Sequence, residues 1–93
     1  MGAYPDHADN MAALRRIEGQ LRGVQRMIQK RQYCCDILNQ IQAAMVALAR
    51  VQDRILERHL AGCVTKAVLS RSEAQKKKKF GEIVSMIRRF RKL

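Results

Sequence analysis

The chain has one proline, at Pro5, and no tryptophan, and its aromatic residues are two tyrosines and two phenylalanines. Beyond Pro5 no residue lacks a backbone donor, turn signals are scarce, and nothing in the pattern marks a strand, so the chain reads as all-helical. Long apolar runs are also missing. None approaches the ~18–20 residues that cross a bilayer, and the first ten residues carry neither the charged nor the apolar region of a signal peptide. No membrane association is expected, and the expected location is the cytoplasm. Cysteines number three, with two adjacent at Cys34 and Cys35, which does not make a disulfide framework. In a reducing compartment such residues are ligands, redox sensors or core fillers. The two histidines, His7 and His59, stand in no acid, base or nucleophile constellation, and a Cys-Cys pair is not the Cys-X-X-Cys of an oxidoreductase, so no enzyme is expected. Acidic residues are few as well. Eight acids face 19 lysines and arginines, leaving a net charge of +11, which favours a polyanionic partner, with nucleic acid foremost.

What is present is helical rhythm. Leu14, Ile17, Leu21, Val24 and Ile28 recur every three or four residues and predict a first helix over residues 8–31, with Asp6 or Asp9 as its cap. Ile37, Ile41, Ala44, Leu48, Val51 and Ile55 continue the alternation in a second helix over residues 34–69. Gly62 costs that helix on the order of 1 kcal/mol relative to alanine and offers a possible end, but the rhythm resumes at Val64, Ala67 and Val68. Residues 70–75 read as the linker, and Phe80, Ile83, Val84, Ile87 and Phe90 mark a short third helix. The whole chain, 1–93, reads as one small helical domain with a flexible stretch over 1–8. A chain this small buries a modest share of its surface, and long apolar seams suit antiparallel, coiled-coil-like packing, so oligomerisation is expected. Met27, Met45 and Met86 read as core filler.

Three residues do not fit a purely structural reading. His59 and Cys63 are four residues apart, hence one turn apart on the same helix face, where they can grip one ion. Cys34 lies 25 residues before His59, and a continuous helix separates them by roughly 37 Å at about 1.5 Å per residue. A metal–sulfur bond spans about 2.3 Å. A site using all three therefore needs two chains, and an antiparallel two-fold partner would create it twice.

The basic residues form stripes. Arg50, Arg54 and Arg58 follow at four-residue steps, Arg15, Arg22, Arg26 and Lys30 lie along one face of the first helix, and Lys76 to Lys79 join Arg88, Arg89, Arg91 and Lys92 near the C-terminus. The bland alternative is a solvated face with helical ion pairs, including Asp53 and Glu57 against neighbouring arginines. No helix-turn-helix, zinc-finger or RNA-binding-sheet motif is present, so DNA binding would use a broad helical surface on which phosphate contacts dominate.

The chain resembles the CsoR/RcnR family of bacterial metal- and thiol-responsive repressors over nearly all of residues 12–93. The markers are Arg16-Ile17-Glu18-Gly19-Gln20 with Arg22-Gly23, Tyr33-Cys34 followed by Asp36-Ile37-Leu38 and Gln40-Ile41, and His59-Leu60-Ala61-Gly62-Cys63-Val64. The resemblance implies a three-helix protomer, an antiparallel helical-bundle dimer and a dimer-of-dimers tetramer. It implies a transcriptional repressor that holds double-stranded operator DNA in the apo state and is released allosterically by Cu(I). The Cys, His, Cys ligand set of the family's copper sensors falls on Cys34, His59 and Cys63, and two thiolates with an imidazole suit soft Cu(I). A surrounding hydrogen-bonding layer falls on Tyr33 and Glu82. Ala13 stands where the family usually has a basic residue that contributes to operator binding, so that role passes to Arg15 or Arg16, while Arg50 matches a basic position implicated in DNA contact and Arg54 extends its stripe.

Other branches of the family fit less well. Nickel and cobalt sensors add an N-terminal histidine whose position is Gly2 here, with His7 offset by five residues. Formaldehyde sensors lack a cysteine at the Cys63 position. Persulfide sensors need both cysteines and usually lack His59, which makes persulfide sensing the alternative, with Ni(II) sensing behind it. Cys35 is atypical beside Cys34. Its side chain leaves the helix about 100° away, and it reads as a small buried residue rather than a fourth ligand.

Overall fold

The computed structural model describes residues 5–90, and among these there is no strand. A single 3-10 turn, Ala8–Asn10, leads into α1 (Met11–Gln29), followed by α2 (Cys34–Leu69) and α3 (Glu73–Phe90). The all-helical expectation and the bounds of the second helix hold. The first helix is shorter than its apolar rhythm suggests, because its first residues are wound as 3-10 and its end is cut at Gln29. Neither Asp6 nor Asp9 caps α1: the cap positions are His7 for the 3-10 turn and Asn10 for α1, neither with a side-chain cap bond, and the Asp6 Oδ1 instead accepts from the Ala8 N–H at 2.9 Å in a local turn ahead of them. The notion of a flexible 1–8 falls partly on residues 1–4, outside the described residues, while Ala8 is already helical.

The end of α1 is made by backbone alone. Arg31 adopts a left-handed φ of 55°, so the Gln32 N–H reaches back to the Met27 carbonyl at 3.0 Å and the Arg31 N–H to that of Ile28 at 3.1 Å. This is a Schellman closure, which usually carries glycine at the left-handed position because a Cβ there is strained. Tyr33 then begins α2, its carbonyl accepting from the Asp36 and Ile37 N–H groups at 3.0 and 3.2 Å.

The second connection is shorter than the expected 70–75 linker. Gln75 and the whole lysine run lie inside α3. The reason is a side-chain cap: the Ser72 hydroxyl accepts from the Gln75 N–H at 3.3 Å, and the Ser72 carbonyl takes the first helical bond, from Lys76 N–H at 3.0 Å. Ser-X-X-Gln is a helix-start signature that an apolar count passes over. Gly62 does not end α2, and a Cβ built on it would meet nothing within 4 Å. No close approach within the chain requires a glycine there.

Two compact units divide the chain at α2, one spanning Asp6–Gln52 and the other running from Asp53 onwards. In the first, Ile17, Val24, Ala44 and Val51 are buried; in the second, Leu56, Ala67 and Ile83. Ile17 and Val24, like Ala44 and Val51, are seven residues apart, so a narrow line of each seam is covered. The rest is not: Leu21, Ile28, Leu48 and Met45 are about half exposed, as is Phe80, and Leu38 is 61% exposed. Met45 is therefore not core filler within one chain, because the apolar stripe of α2 is wider than its neighbours in the same chain can cover. Asn10, at the head of α1, is the contrary case, a buried side chain whose amide N and O have no hydrogen-bond partner among the described residues.

Candidate metal centre and nucleic-acid interface

Cys34 is the first residue of α2, and its thiol is exposed. It owes that place to the α1–α2 turn, since Tyr33 supplies the carbonyl that starts the helix and Cys34 follows directly. The Tyr33 ring is itself 68% exposed. Cys35 is also exposed, which corrects the expectation that it is a small buried residue: it stands on the opening turn of α2, where residues 34–36 are all exposed.

His59 and Cys63 sit in the second half of the same helix, one turn apart, and both are half-buried. They belong to the unit that starts at Asp53, whereas Cys34 belongs to the other. Among the described residues of one chain, no group of three His, Cys, Asp or Glu side chains comes together to hold a metal. The His59–Cys63 pair is thus set by helix geometry, while Cys34 stands at the head of the helix without them. The donor chemistry still suits a soft monovalent ion, with two thiolates and an imidazole able to fill a trigonal site.

Glu82 lies on α3 in the same unit as His59 and Cys63. Its Oε2 is 3.7 Å from Lys79 Nζ, with the side chain 48% exposed. Glu73 likewise pairs with Lys76 at 3.5 Å. These i,i+3 contacts bear out part of the bland reading of the lysine run, and at such exposure each pair is worth at most about 1 kcal/mol.

Arg15 and Arg16 on α1 and Arg50 and Arg54 on α2 are all exposed. No ion pair within the described residues engages any of these four, so their charge faces solvent. The stripe is not on a mostly buried helix, as the apolar rhythm of α2 suggests, because the uncovered seam leaves much of α2 open. Arg91 and Lys92, counted in the C-terminal basic cluster, lie outside the described residues, as does Gly2. His7 is half-buried, its Nδ1 without a hydrogen-bond partner among the described residues.

Comparison with known proteins places this geometry. Over 66 residues the chain is 50% identical to the copper-sensing transcriptional repressor RicR of Mycobacterium tuberculosis, an alignment covering 70% of this chain and 69% of that protein. It is 39% identical over 79 residues to the copper-sensing transcriptional repressor CsoR of Bacillus subtilis, covering 85% of this chain and 75% of that one. Among solved structures, the copper-sensing repressor CsoR with Cu(I) from Geobacillus thermodenitrificans matches with a TM-score of 0.74 at 39% identity, over 99% of this chain and 95% of that chain. The nickel-responsive transcriptional regulator InrS matches with a TM-score of 0.79 at 31% identity, over 97% and 98% of the two chains. The family model described as metal-sensitive transcriptional repressor matches residues 6–89, which takes in α1, α2, all but the last residue of α3 and every candidate ligand. A three-helix chain with a thiol at the head of a long helix, an imidazole–thiol pair in its second half and exposed arginines on its first two helices thus belongs to the metal-sensitive transcriptional repressors, a family of regulators and not of enzymes.

Proposed function

We propose that residues 1–93 act as one sensing and DNA-binding domain of a Cu(I)-responsive repressor in the cytoplasm. Without metal it holds double-stranded operator DNA; with Cu(I) bound by Cys34 of one protomer and by His59 and Cys63 of a second, it lets go. The observation that carries this reading is the placement of all three residues on one unbroken helix, Cys34–Leu69, with no three-residue metal cluster among the described residues of the chain. The copper-sensing relatives support the choice of metal, as does the softness of the donors.

The assembly in this reading is an antiparallel helical-bundle dimer that pairs again into a dimer of dimers. The uncovered apolar stripes of α1 and α2 support it. Leu21, Ile28, Leu38 and Leu48 stand exposed in one chain, and full burial of such a side chain stabilises by roughly 1.5–3 kcal/mol. A two-fold axis would bring each Cys34 to the other chain's His59–Cys63 pair and build the site twice.

Release of DNA requires that the metal-holding arrangement differ from the DNA-holding one, since a ligand indifferent to both shifts nothing. His59 supplies the link. While one ring nitrogen serves as ligand, the other can donate to an acceptor, for which Glu82 and Tyr33 are the nominees. Glu82 is held by Lys79 in this structure, and an exposed pair of that kind is weak enough to exchange for a hydrogen bond from His59. Such an exchange would draw α3 toward α2 and move Arg50 and Arg54, with Arg15 and Arg16 on α1, out of register with the phosphates.

The test is anaerobic titration of reduced protein with Cu(I) in the presence of operator DNA, followed by fluorescence anisotropy. Stoichiometric Cu(I) should release the DNA. Release by polysulfide and not by Cu(I) would transfer the reading to persulfide sensing through Cys34 and Cys63. The nickel-responsive structural neighbour gives a second reading its one supporting observation, and release by Ni(II) alone would favour it.

A further inference from the structure

The elbow between α2 and α3 forms an open surface concavity of about 530 Å³, lined mainly by exposed side chains and of a volume within the roughly 300–1,000 Å³ of small-ligand sites. Its wall is unusual in charge. Lys66 from the last turn of α2, Arg71 from the connection, and Lys78 and Lys79 from α3 all line it, and Glu82 is the single carboxylate among the lining residues. Gln75, Lys78, Lys79 and Glu82 recur at three- and four-residue steps, so one face of α3 is turned to the cavity. The two remaining lysines of the run do not line it, and Lys76 is paired with Glu73.

The elbow is also fixed in shape. The Ser70 hydroxyl lies 3.4 Å from the Ser72 carbonyl and 3.3 Å from Gln75 Oε1, and the Ser72 hydroxyl caps Gln75. These bonds brace the connection that carries Arg71, which lines the concavity together with the lysines. Mutual repulsion among four cations in one concavity is unfavourable, and the Lys79–Glu82 ion pair relieves part of it. A folded wall that keeps such repulsion is complementary to a compact polyanion.

We propose that this elbow is a binding site for a small polyphosphate-type anion, of the chemical class of pyrophosphate. Two phosphoryl groups carry roughly three to four negative charges at the usual phosphate charge of about −1.5 to −2 each, which matches four cations better than a single sulfate or phosphate does. Arg71 provides a planar fork for two oxygens, and Lys66, Lys78 and Lys79 act as point charges around it. The Gln75 side-chain amide adds a neutral N–H donor. A DNA backbone presents single phosphates strung along a duplex and would leave most of this volume empty. None of Cys34, His59 or Cys63 lines the elbow; only Glu82 and its partner Lys79 are shared with the copper reading, and binding to metal-free protein is read without it.

The test is calorimetric titration of the metal-free, DNA-free full chain with pyrophosphate at about 0.15 M salt, where charges beyond a Debye length of about 8 Å are screened. Saturable binding of one pyrophosphate per chain is expected. Arg71→Gln and Lys78→Gln should each weaken it at least about tenfold, the loss of one charge-assisted contact, with helicity unchanged by circular dichroism. Lys77→Gln removes the same charge outside the cavity and should weaken it less than about twofold. Equal losses in all three variants, or no saturable binding to wild-type protein, would overturn the site. So would the pattern in which Arg71→Gln and Lys78→Gln weaken operator DNA while wild-type protein holds pyrophosphate no better than they do, because the elbow would then serve the DNA backbone.

Discussion

The two connections that flank α2 are built by different means. The turn before it, from Lys30 to Tyr33, is closed by main-chain hydrogen bonds and a strained left-handed Arg31. The turn after it has main-chain bonds at its two ends, Ser70 N–H to the Ala67 carbonyl and Lys76 N–H to that of Ser72, but adds side chains between them, with Ser72 capping Gln75 and Ser70 bonding across the elbow. The first delivers Cys34 to the head of α2, and nothing in its geometry depends on the side chains it contains. The second sets the start of α3 and hence the height of Glu82, and it depends on particular hydroxyls. A sensor built this way can hold one ligand position rigid through backbone alone while leaving the α3 side responsive to local side-chain chemistry.

The sharpest way to break the comparison is to remove ligands on either side. Cys34→Ala, at the head of the long helix, and His59→Ala, in its second half, should each weaken Cu(I) binding by more than about 100-fold, since even residues that merely orient ligands cost about 10–100-fold. Assemblies that mix Cys34→Ala chains with chains carrying both His59→Ala and Cys63→Ala should regain one intact site per heterodimer. A wild-type chain proven monomeric that still held Cu(I) through all three residues would break the shared-site reading.

Next in size is DNA affinity. Arg50→Ala should weaken operator binding by roughly tenfold and lower the slope of log affinity against log salt by about one, the signature of one lost phosphate contact. An unchanged affinity measured by anisotropy would remove Arg50 from the interface.

The turns themselves give the smallest effects, of opposite sign. Ser72→Ala deletes a cap and should destabilise the fold by about 1 kcal/mol, read as a lower midpoint in urea. Arg31→Gly relieves a left-handed residue worth about 1–2 kcal/mol, offset by about 0.5–1 kcal/mol from the greater chain entropy of glycine, so a net gain of about 0–1.5 kcal/mol is expected. If Arg31→Gly destabilises and Ser72→Ala does not, the assignment of backbone closure to one turn and side-chain closure to the other is wrong.

Much of the local structure was legible because it depends on neighbours within a few residues. Apolar recurrence marked all three helices, and four-residue spacing alone put His59 and Cys63 on one face. The early start of α3 was written in Ser72 and Gln75 but hidden by a run of lysines with no apolar rhythm. The end of α1 was not written at all, since Arg31 gives no hint of a left-handed residue and only the competing hydrogen bonds of Gln32 and Met27 select it. The sequence also carried the donor types and spacings by which a soft metal would be recognised, because softness and bite belong to the side chains themselves.

Tertiary structure decided what packing alone can decide. It left half of the apolar seam uncovered, exposed Cys35 and Arg50, and turned one face of the lysine run into the wall of a cavity beside Arg71. Hydrophobic periodicity shows which face of a helix seeks cover, but how much of it a single chain can cover depends on the widths and lengths of the helices that meet there.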